Sequence, residues 1–274
     1  MSRPLRLGYI GLGDMGAPMA RRLVDWPGGL TVFDLRTEAM TPLAEAGATL
    51  ADRVADVADA DVISVTVLDD AQVRDVIGQL VERAQPGTVI AIHSTIADHT
   101  AAALAGQLAD RGIHVIDAPV SGGAGAAEQG QLATMVGADR AIYDRVKPVF
   151  TRWASLVIHA GAPGAGTRMK LARNMLTFTS FAAACEAMAL AESSGLNLPA
   201  LGRVVRHTDA LTGGPGAIMF RDTMTPLDRD NVLYRPLNHT RDLGEKDLRL
   251  ALALGEATGV ALPLAEVALR RLAI

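Results

Sequence analysis

One stretch limits the fold of this chain more than any other. The apolar run Leu5-Arg6-Leu7-Gly8-Tyr9-Ile10 stops at Gly11-Leu12-Gly13-Asp14-Met15-Gly16. An Ala-rich segment from Ala17 to Val24 then reads as a helix, and Leu30-Thr31-Val32-Phe33 as a second strand ending at Asp34. Strand, Gly-x-Gly-x-x-Gly, helix, strand and acidic residue is the order in which a parallel α/β sheet takes up a dinucleotide. Gly11 permits the tight turn, Gly13 lets the backbone approach a pyrophosphate, and Gly16 lets helix and strand pack closely. Leu12, Asp14 and Met15 complete the loop, whose N–H groups at the helix start would meet the phosphates. Asp34, 23 positions after Gly11, is placed to bond ribose hydroxyls and to repel a 2′-phosphate, which favours NAD. Arg36, two residues on, is suited to holding that phosphate and leaves NADP open.

The alternation continues, as a doubly wound sheet requires. Asp61 to Leu68 and Gly87 to Ile92 read as strands, with helices at Gln72–Ala84 and Thr100–Arg111. Ile113 to Val120 is a further strand, then Gly130 to Gly137 and Ala154 to Ile158, with a helix ending over Val146–Phe150. Ligands of such sheets bind outside the carboxyl ends of the strands. That makes Leu68-Asp69 and Ser94-Thr95 candidates for the nicotinamide side, with His93 beside them read as a plain loop histidine. The strand ending at Val120 delivers Ser121-Gly122-Gly123, a hydroxyl followed by unshielded backbone N–H groups able to wrap a carboxylate.

After the flexible stretch Gly161–Gly166, the chain runs to Gly195 without an internal Gly or Pro, rich in Ala, Leu and Met. It reads as one long helix with Thr167 as N-cap and Gly195 as its stop. Lys170 and Asn174, four apart, share a face. In the first turn, Lys170 would oppose the helix dipole, which lowers its pKa toward values useful for proton transfer. Cys185, the sole cysteine, reads as a small core residue of this helix in a reducing compartment. Beyond Gly195 the pattern is helical only, at 201–207, 241–254 and 264–272, with 209–215 a loop and 225–239 irregular. The expected organisation is therefore α/β. Residues 1–162 form a Rossmann-type nucleotide domain, 163–195 a connecting helix, and 196–274 an all-helical domain.

With 26 basic and 30 acidic residues the net charge is −4, and no basic tract marks a nucleic-acid partner. The most apolar window, Leu176 to Leu190, is interrupted by Glu186 and too short for a membrane span. A strand pattern by Leu5 leaves no room for a signal peptide, so a cytoplasmic protein without a metal site is expected.

Four motifs in order give the chain a resemblance to the β-hydroxyacid dehydrogenases, the family of 3-hydroxyisobutyrate dehydrogenase and tartronate semialdehyde reductase. They are Gly11-Leu12-Gly13-Asp14-Met15-Gly16-Ala17-Pro18-Met19-Ala20; Asp117-Ala118-Pro119-Val120-Ser121-Gly122-Gly123; Gly164 to Asn174; and Lys246-Asp247-Leu248. The resemblance implies that Lys170 is the catalytic lysine and that Asn174 helps hold the substrate. It implies that Ser121, Gly122 and Gly123 bind its carboxylate and that Lys246 lies near the nicotinamide. It also implies that residues 196–274 complete the substrate site and, with the long helix, build the interface of a homodimer or homotetramer. Two positions depart from the pattern: Ile92, where relatives often carry an acid, and Arg173, which replaces the first of two amides. Residues 209–224 match no member's specificity loop.

The expected reaction is reversible hydride transfer between NAD(P) and a small β-hydroxy acid, with Lys170 moving the hydroxyl proton. Reduction of another carbonyl or an imine on the same scaffold is the alternative, although imine-reducing relatives generally lack this lysine. A larger relative's decarboxylation would want a longer helical domain, and a non-catalytic cofactor-binding protein would have lost Lys170 or Ser121.

Overall fold

The computed structural model describes residues 3–215 and 227–272. They form two compact units, Met1–Arg173 and Asn174–Ile274. The first runs β1 (Leu7–Ile10), α1 (Gly16–Arg21), β2 (Leu30–Phe33), α2 (Thr37–Glu45), β3 (Thr49–Leu50), β4 (Val62–Val65), α3 (Asp70–Leu80), β5 (Val89–Ile92), α4 (Asp98–Leu108) and β6 (His114–Asp117). It continues through β7 (Val120–Ser121), α5 (Ala124–Glu128), β8 (Leu132–Gly137), α6 (Arg140–Phe150) and β9 (Ala154–Gly161). Helix α7 (Ala165–Ser193) starts in this unit and passes into the second, which holds α8 (Leu198–Thr212), α9 (Tyr234–Thr258) and α10 (Pro263–Arg271).

Among the described residues, all nine strands join one sheet in the order β3-β2-β1-β4-β5-β6-β8-β7, with β9 on β8. From β3 to β6 every pairing is parallel. Strand β8 then runs antiparallel to β6 and β7 and parallel to β9. The central strands Leu-Gly-Tyr-Ile, Val-Ile-Ser-Val and Val-Ile-Ala-Ile are buried along their whole length, as a sheet covered on both faces demands. Alternate residues go to opposite cores. Tyr9, Val62 and Val89 join Trp153 and Phe150 on one face, while Ile10, Ile63 and Ile90 join Ile77 and Leu104 on the other. This is the doubly wound α/β arrangement the sequence pattern leads one to expect.

Several elements differ from expectation for local reasons. The strand expected over 113–120 breaks at Ala118-Pro119 and resumes as β7. Pro119 has no N–H to give a ladder, and its carbonyl instead accepts from Met135 N–H at 3.0 Å. Helix α7 begins at Ala165, so Thr167 is not its N-cap but part of its first turn. At the other end Gly195, at φ 73°, does stop the helix. The Gly195 and Leu196 amides return to Glu192 and Ala191 at 2.9 Å each, the double closure of a helix ended by left-handed glycine.

The second unit contains no strand among its described residues. Residues 209–212, expected in a loop, extend α8 until Gly213, at φ 86°, ends it. Helix α9 takes up Tyr234–His239, because Pro236 falls in its first turn, where a missing N–H loses no helical bond. Residues 216–224 of the expected specificity loop, with 225 and 226 of the irregular stretch, lie outside the described residues. Cys185 is exposed on α7 rather than in a core. It belongs to a helix that also exposes Met175, Phe178 and Phe181.

Candidate functional site

The glycine loop leaves the carboxyl end of β1, and its three glycines have different surroundings. A Cβ on Gly11 would stand 2.1 Å from the Thr66 carbonyl oxygen, and φ there is +90°. A Cβ on Gly16 would stand 1.9 Å from the Gly11 oxygen. Gly13 has nothing within 4 Å and is exposed, as is Asp14. Two glycines are thus needed by the fold and the third is open toward solvent, the surface a pyrophosphate needs to approach the backbone. Leu12 is buried and Met15 half-buried against the core.

Asp34, at the end of β2, reaches back to this loop. Its Oδ2 accepts from Leu12 N–H at 2.7 Å, and its Oδ1 from Arg36 N–H at 2.9 Å and Arg36 Nε at 3.3 Å. Burial works to raise its pKa, but the bonds from Leu12 and Arg36 outweigh it and hold the carboxyl below its usual range. Arg36 is thereby paired with the acid whose role it would contest.

At the next strand ends, Leu68 is 85% exposed and Thr95 is exposed, both on the rim that carries the glycine loop. Their neighbours have structural duties. Asp69 caps α3 through Gln72 N–H at 2.9 Å, while the Gln72 side chain accepts from Leu68 N–H at 3.0 Å. Ser94 Oγ donates to the Val67 carbonyl at 2.6 Å and accepts its N–H at 3.0 Å, closing β4 onto β5. His93 is a core residue rather than a loop one. It is edge-on to Phe150 and Trp153 at 5.3 and 5.4 Å, with Nδ1 at 2.7 Å from the Ala118 oxygen and Nε2 at 3.0 Å from Ser64 Oγ. A carbonyl can only accept, so the proton sits on Nδ1 and Ser64 donates to Nε2. Burial lowers the His93 pKa to about 4, the Ala118 bond pulling the other way. Ile92 is fully buried in β5.

Ser121 closes β7, and Gly122 and Gly123 follow at φ +137° and +81°, both exposed. Ser121 Oγ is buried and has no hydrogen-bond partner among the described residues, an orphan that a bound polar ligand would satisfy. Four residues earlier, the fully buried Asp117 accepts Gly164 N–H at 2.6 Å and Thr167 N–H at 2.5 Å. Its carboxylate caps α7. In sequence Asp117 stands out only as part of the Asp117–Gly123 motif, because its partner Thr167 lies 50 residues on and leaves no local pattern.

Lys170, one turn beyond Thr167, is 8% exposed. Its pKa is lowered, first by burial and then by the Arg173 cation three residues on. Because α7 starts at Ala165, Lys170 lies past the first turn, and burial replaces the helix dipole as the cause. Asn174, half-buried, follows one turn later, and Lys246 is exposed on α9. Among the described residues no group of His, Cys, Asp and Glu could hold a metal. Nor is any described helix long and apolar enough to cross a membrane.

Residues 6–161 match the family model of the NAD binding domain of 6-phosphogluconate dehydrogenase. Residues 164–273 match that of the NAD-binding domain of NADP-dependent 3-hydroxyisobutyrate dehydrogenase. An uncharacterised oxidoreductase of Mycobacterium tuberculosis is 66% identical over 271 residues, covering 98% of this chain and 92% of the relative. The crystal structure of a provisionally named oxidoreductase of Mycobacterium avium 104 is 73% identical with a TM-score of 0.95, covering 98% of this chain and 97% of that one. The M. tuberculosis 3-hydroxyisobutyrate dehydrogenase with L-serine is 32% identical with a TM-score of 0.71, covering 98% and 92%. With its glycine loop, Asp34 and this kinship, the chain belongs to the β-hydroxyacid dehydrogenase family, NAD(P)-using oxidoreductases of the 3-hydroxyisobutyrate dehydrogenase type.

Proposed function

We propose that the chain interconverts a small β-hydroxy acid and its semialdehyde or ketone, with Lys170 as general acid and base. The observation that carries this reading is a buried lysine of lowered pKa on a helix fastened to the strand that leads to Ser121. Bound NAD(P) supplies the hydride acceptor in oxidation and the hydride donor in reduction. Gly11 to Gly16 would hold its pyrophosphate and Asp34 its ribose, and Leu68, Thr95 and Lys246 are the residues assigned to its nicotinamide end. Asp34 disfavours a 2′-phosphate, and Arg36 is occupied by Asp34, so NAD is the expected cofactor. The N–H groups of Gly122 and Gly123, with Ser121 Oγ, bind the substrate carboxylate. Lys170 takes the hydroxyl proton in oxidation and returns it in reduction, while Asn174 orients the reacting oxygen. A depressed pKa keeps a larger share of the amine neutral and able to accept that proton. Residues 163–195 and 196–274 serve as the connecting helix and the helical domain of a cytoplasmic homodimer or homotetramer. The apolar side chains exposed along α7 support that assembly.

The test is a panel of small hydroxy acids assayed with NAD and NADP by nicotinamide absorbance, repeated with Lys170→Ala. Loss of a positioned proton-transfer group should lower turnover by about 10²–10⁴-fold on the preferred substrate. Near-normal turnover of Lys170→Ala would sink the assignment.

A further inference from the structure

The joint between β6 and α7 contains a buried carboxylate that the proton-transfer scheme does not use. Both Asp117 oxygens are engaged by the chain leading into α7: Oδ1 by Gly164 N–H and Oδ2 by Thr167 N–H. The first amides of a helix have no acceptor within the helix, and a negative charge is favoured there. Two glycines at the joint leave no room for a Cβ. A Cβ on Gly137, the β8 partner of Asp117, would lie 2.2 Å from Asp117 Oδ1. A Cβ on Gly166 would lie 2.3 Å from the Met135 oxygen and 3.0 Å from the Asp117 oxygen. Strands β6 and β8 and the start of α7 therefore meet backbone to backbone around one charged group.

The same residue stands between two parts of the site. Three residues past Thr167 is Lys170, a rise of about 4.5 Å along the helix. Four residues past Asp117 is Ser121, held by the β7–β8 pairing of Ser121 with Ala133. We infer that Asp117 is a positioning residue that fixes the start of α7 and so sets the Lys170 amine relative to the Ser121-Gly122-Gly123 segment. The inference rests on the reading of Lys170 as the proton-transfer group.

Asp117→Asn tests it. The amide keeps one acceptor but turns its NH₂ toward the second N–H, so one of the two bonds becomes a donor–donor contact. A displacement of about 1 Å at a reacting group costs on the order of 10²-fold, so kcat per folded chain should fall by that factor with NAD(P)H binding unchanged. The lysine count makes a second readout clean, because the chain has only Lys147, Lys170 and Lys246. In Asp117→Asn, acylation of Lys170 followed by mass spectrometry should accelerate relative to Lys147 and Lys246. Asp61→Asn, which removes a carboxylate tied to Arg3 and Arg6 away from the joint, should leave kcat and Lys170 labelling unchanged. A folded Asp117→Asn protein with normal kcat and normal Lys170 labelling overturns the inference, whatever its melting temperature. If that variant does not fold, amide exchange in the wild-type protein decides. Gly164 and Thr167 N–H groups should be protected like strand amides, and exchange at the rate of a frayed helix end overturns the joint. Lys170→Ala separates the two claims, since its activity tests the chemistry while labelling and exchange test the geometry.

Discussion

Phe150 and Phe181 carry the same side chain in opposite circumstances. Phe150 is fully buried in the sheet unit, 5.2 Å from the Trp153 ring and 5.3 Å from His93. Phe181, on the part of α7 that lies in the helical unit, is 61% exposed and touches Phe178 edge to face at 6.0 Å. The difference extends to whole elements. Two apolar cores lie on the faces of the sheet, whereas α8 and α10 contain no buried residue among those described. Every buried polar side chain among the described residues also lies in the sheet unit. Among the described residues, the first unit thus buries its apolar side chains in two cores, while the second exposes apolar side chains along its helices.

Equal truncations should expose that contrast most strongly. Phe150→Ala should cost about 3–5 kcal/mol in urea unfolding, the usual range for a buried aromatic. Phe181→Ala should cost less than about 0.5 kcal/mol in dilute protein, as surface changes do. If α7 is an interface, the Phe181→Ala penalty should grow with protein concentration, because association stabilises by mass action. Equal penalties in dilute protein would break the comparison.

Acid should act next most strongly, and on the sheet unit. His93 has a pKa near 4 when folded against an ordinary value of 6.5. The unfolded chain therefore takes the proton first. Stability is complete above about pH 6.5 and is lost as pH falls toward 4, by about 3 kcal/mol from this group. Urea titrations at the two ends of that window measure the loss, and His93→Gln should flatten it. A loss that persists undiminished in His93→Gln would assign the acid sensitivity elsewhere.

Within the sheet unit the glycine loop offers a finer contrast. Gly16→Ala drives a Cβ into the Gly11 carbonyl and should cost about 2 kcal/mol of stability. Gly13→Ala meets open space, so its melting temperature should hold while NAD(P) affinity falls. A Gly13→Ala protein with normal affinity in equilibrium titration would remove the loop from the cofactor site.

What the sequence discloses follows the same division. Strands β1, β2, β4 and β5, the glycine loop, Asp34 and the stop at Gly195 are legible because short-range rules govern them: apolar runs, glycine geometry and an acid at a set spacing. Lys170 is legible from its place in the Gly164–Asn174 motif, but the cause of its lowered pKa is not, since burial comes from packing rather than from helix position. Thr167 looks like a cap because it is a threonine before a helical run. Asp117, 50 residues away, takes that duty, and no local pattern reveals such a partner. The helical unit is read least well at its helix ends. Asp209–Thr212 and Tyr234–His239 have polar or proline-bearing sequences that helix termini tolerate.

Glu186 belongs to the same class of distant cap and gives the smallest of these tests. In sequence it is only the charge that interrupts an apolar stretch of α7. In the structure its carboxylate accepts Leu264 N–H at 2.8 Å and Ala265 N–H at 3.3 Å, capping the start of α10. Pro263, in the first turn of that helix, has no N–H of its own to offer, so the side chain binds the next two amides. Glu186→Gln keeps the shape and one acceptor but loses the charge that favours a helix start, and should cost about 1 kcal/mol. Amide exchange read by mass spectrometry should then quicken in the 264–272 segment and stay unchanged in the strands. If exchange in that segment does not change, α10 is held by its apolar contacts, and the helical unit depends less on polar clasps than Glu186 suggests.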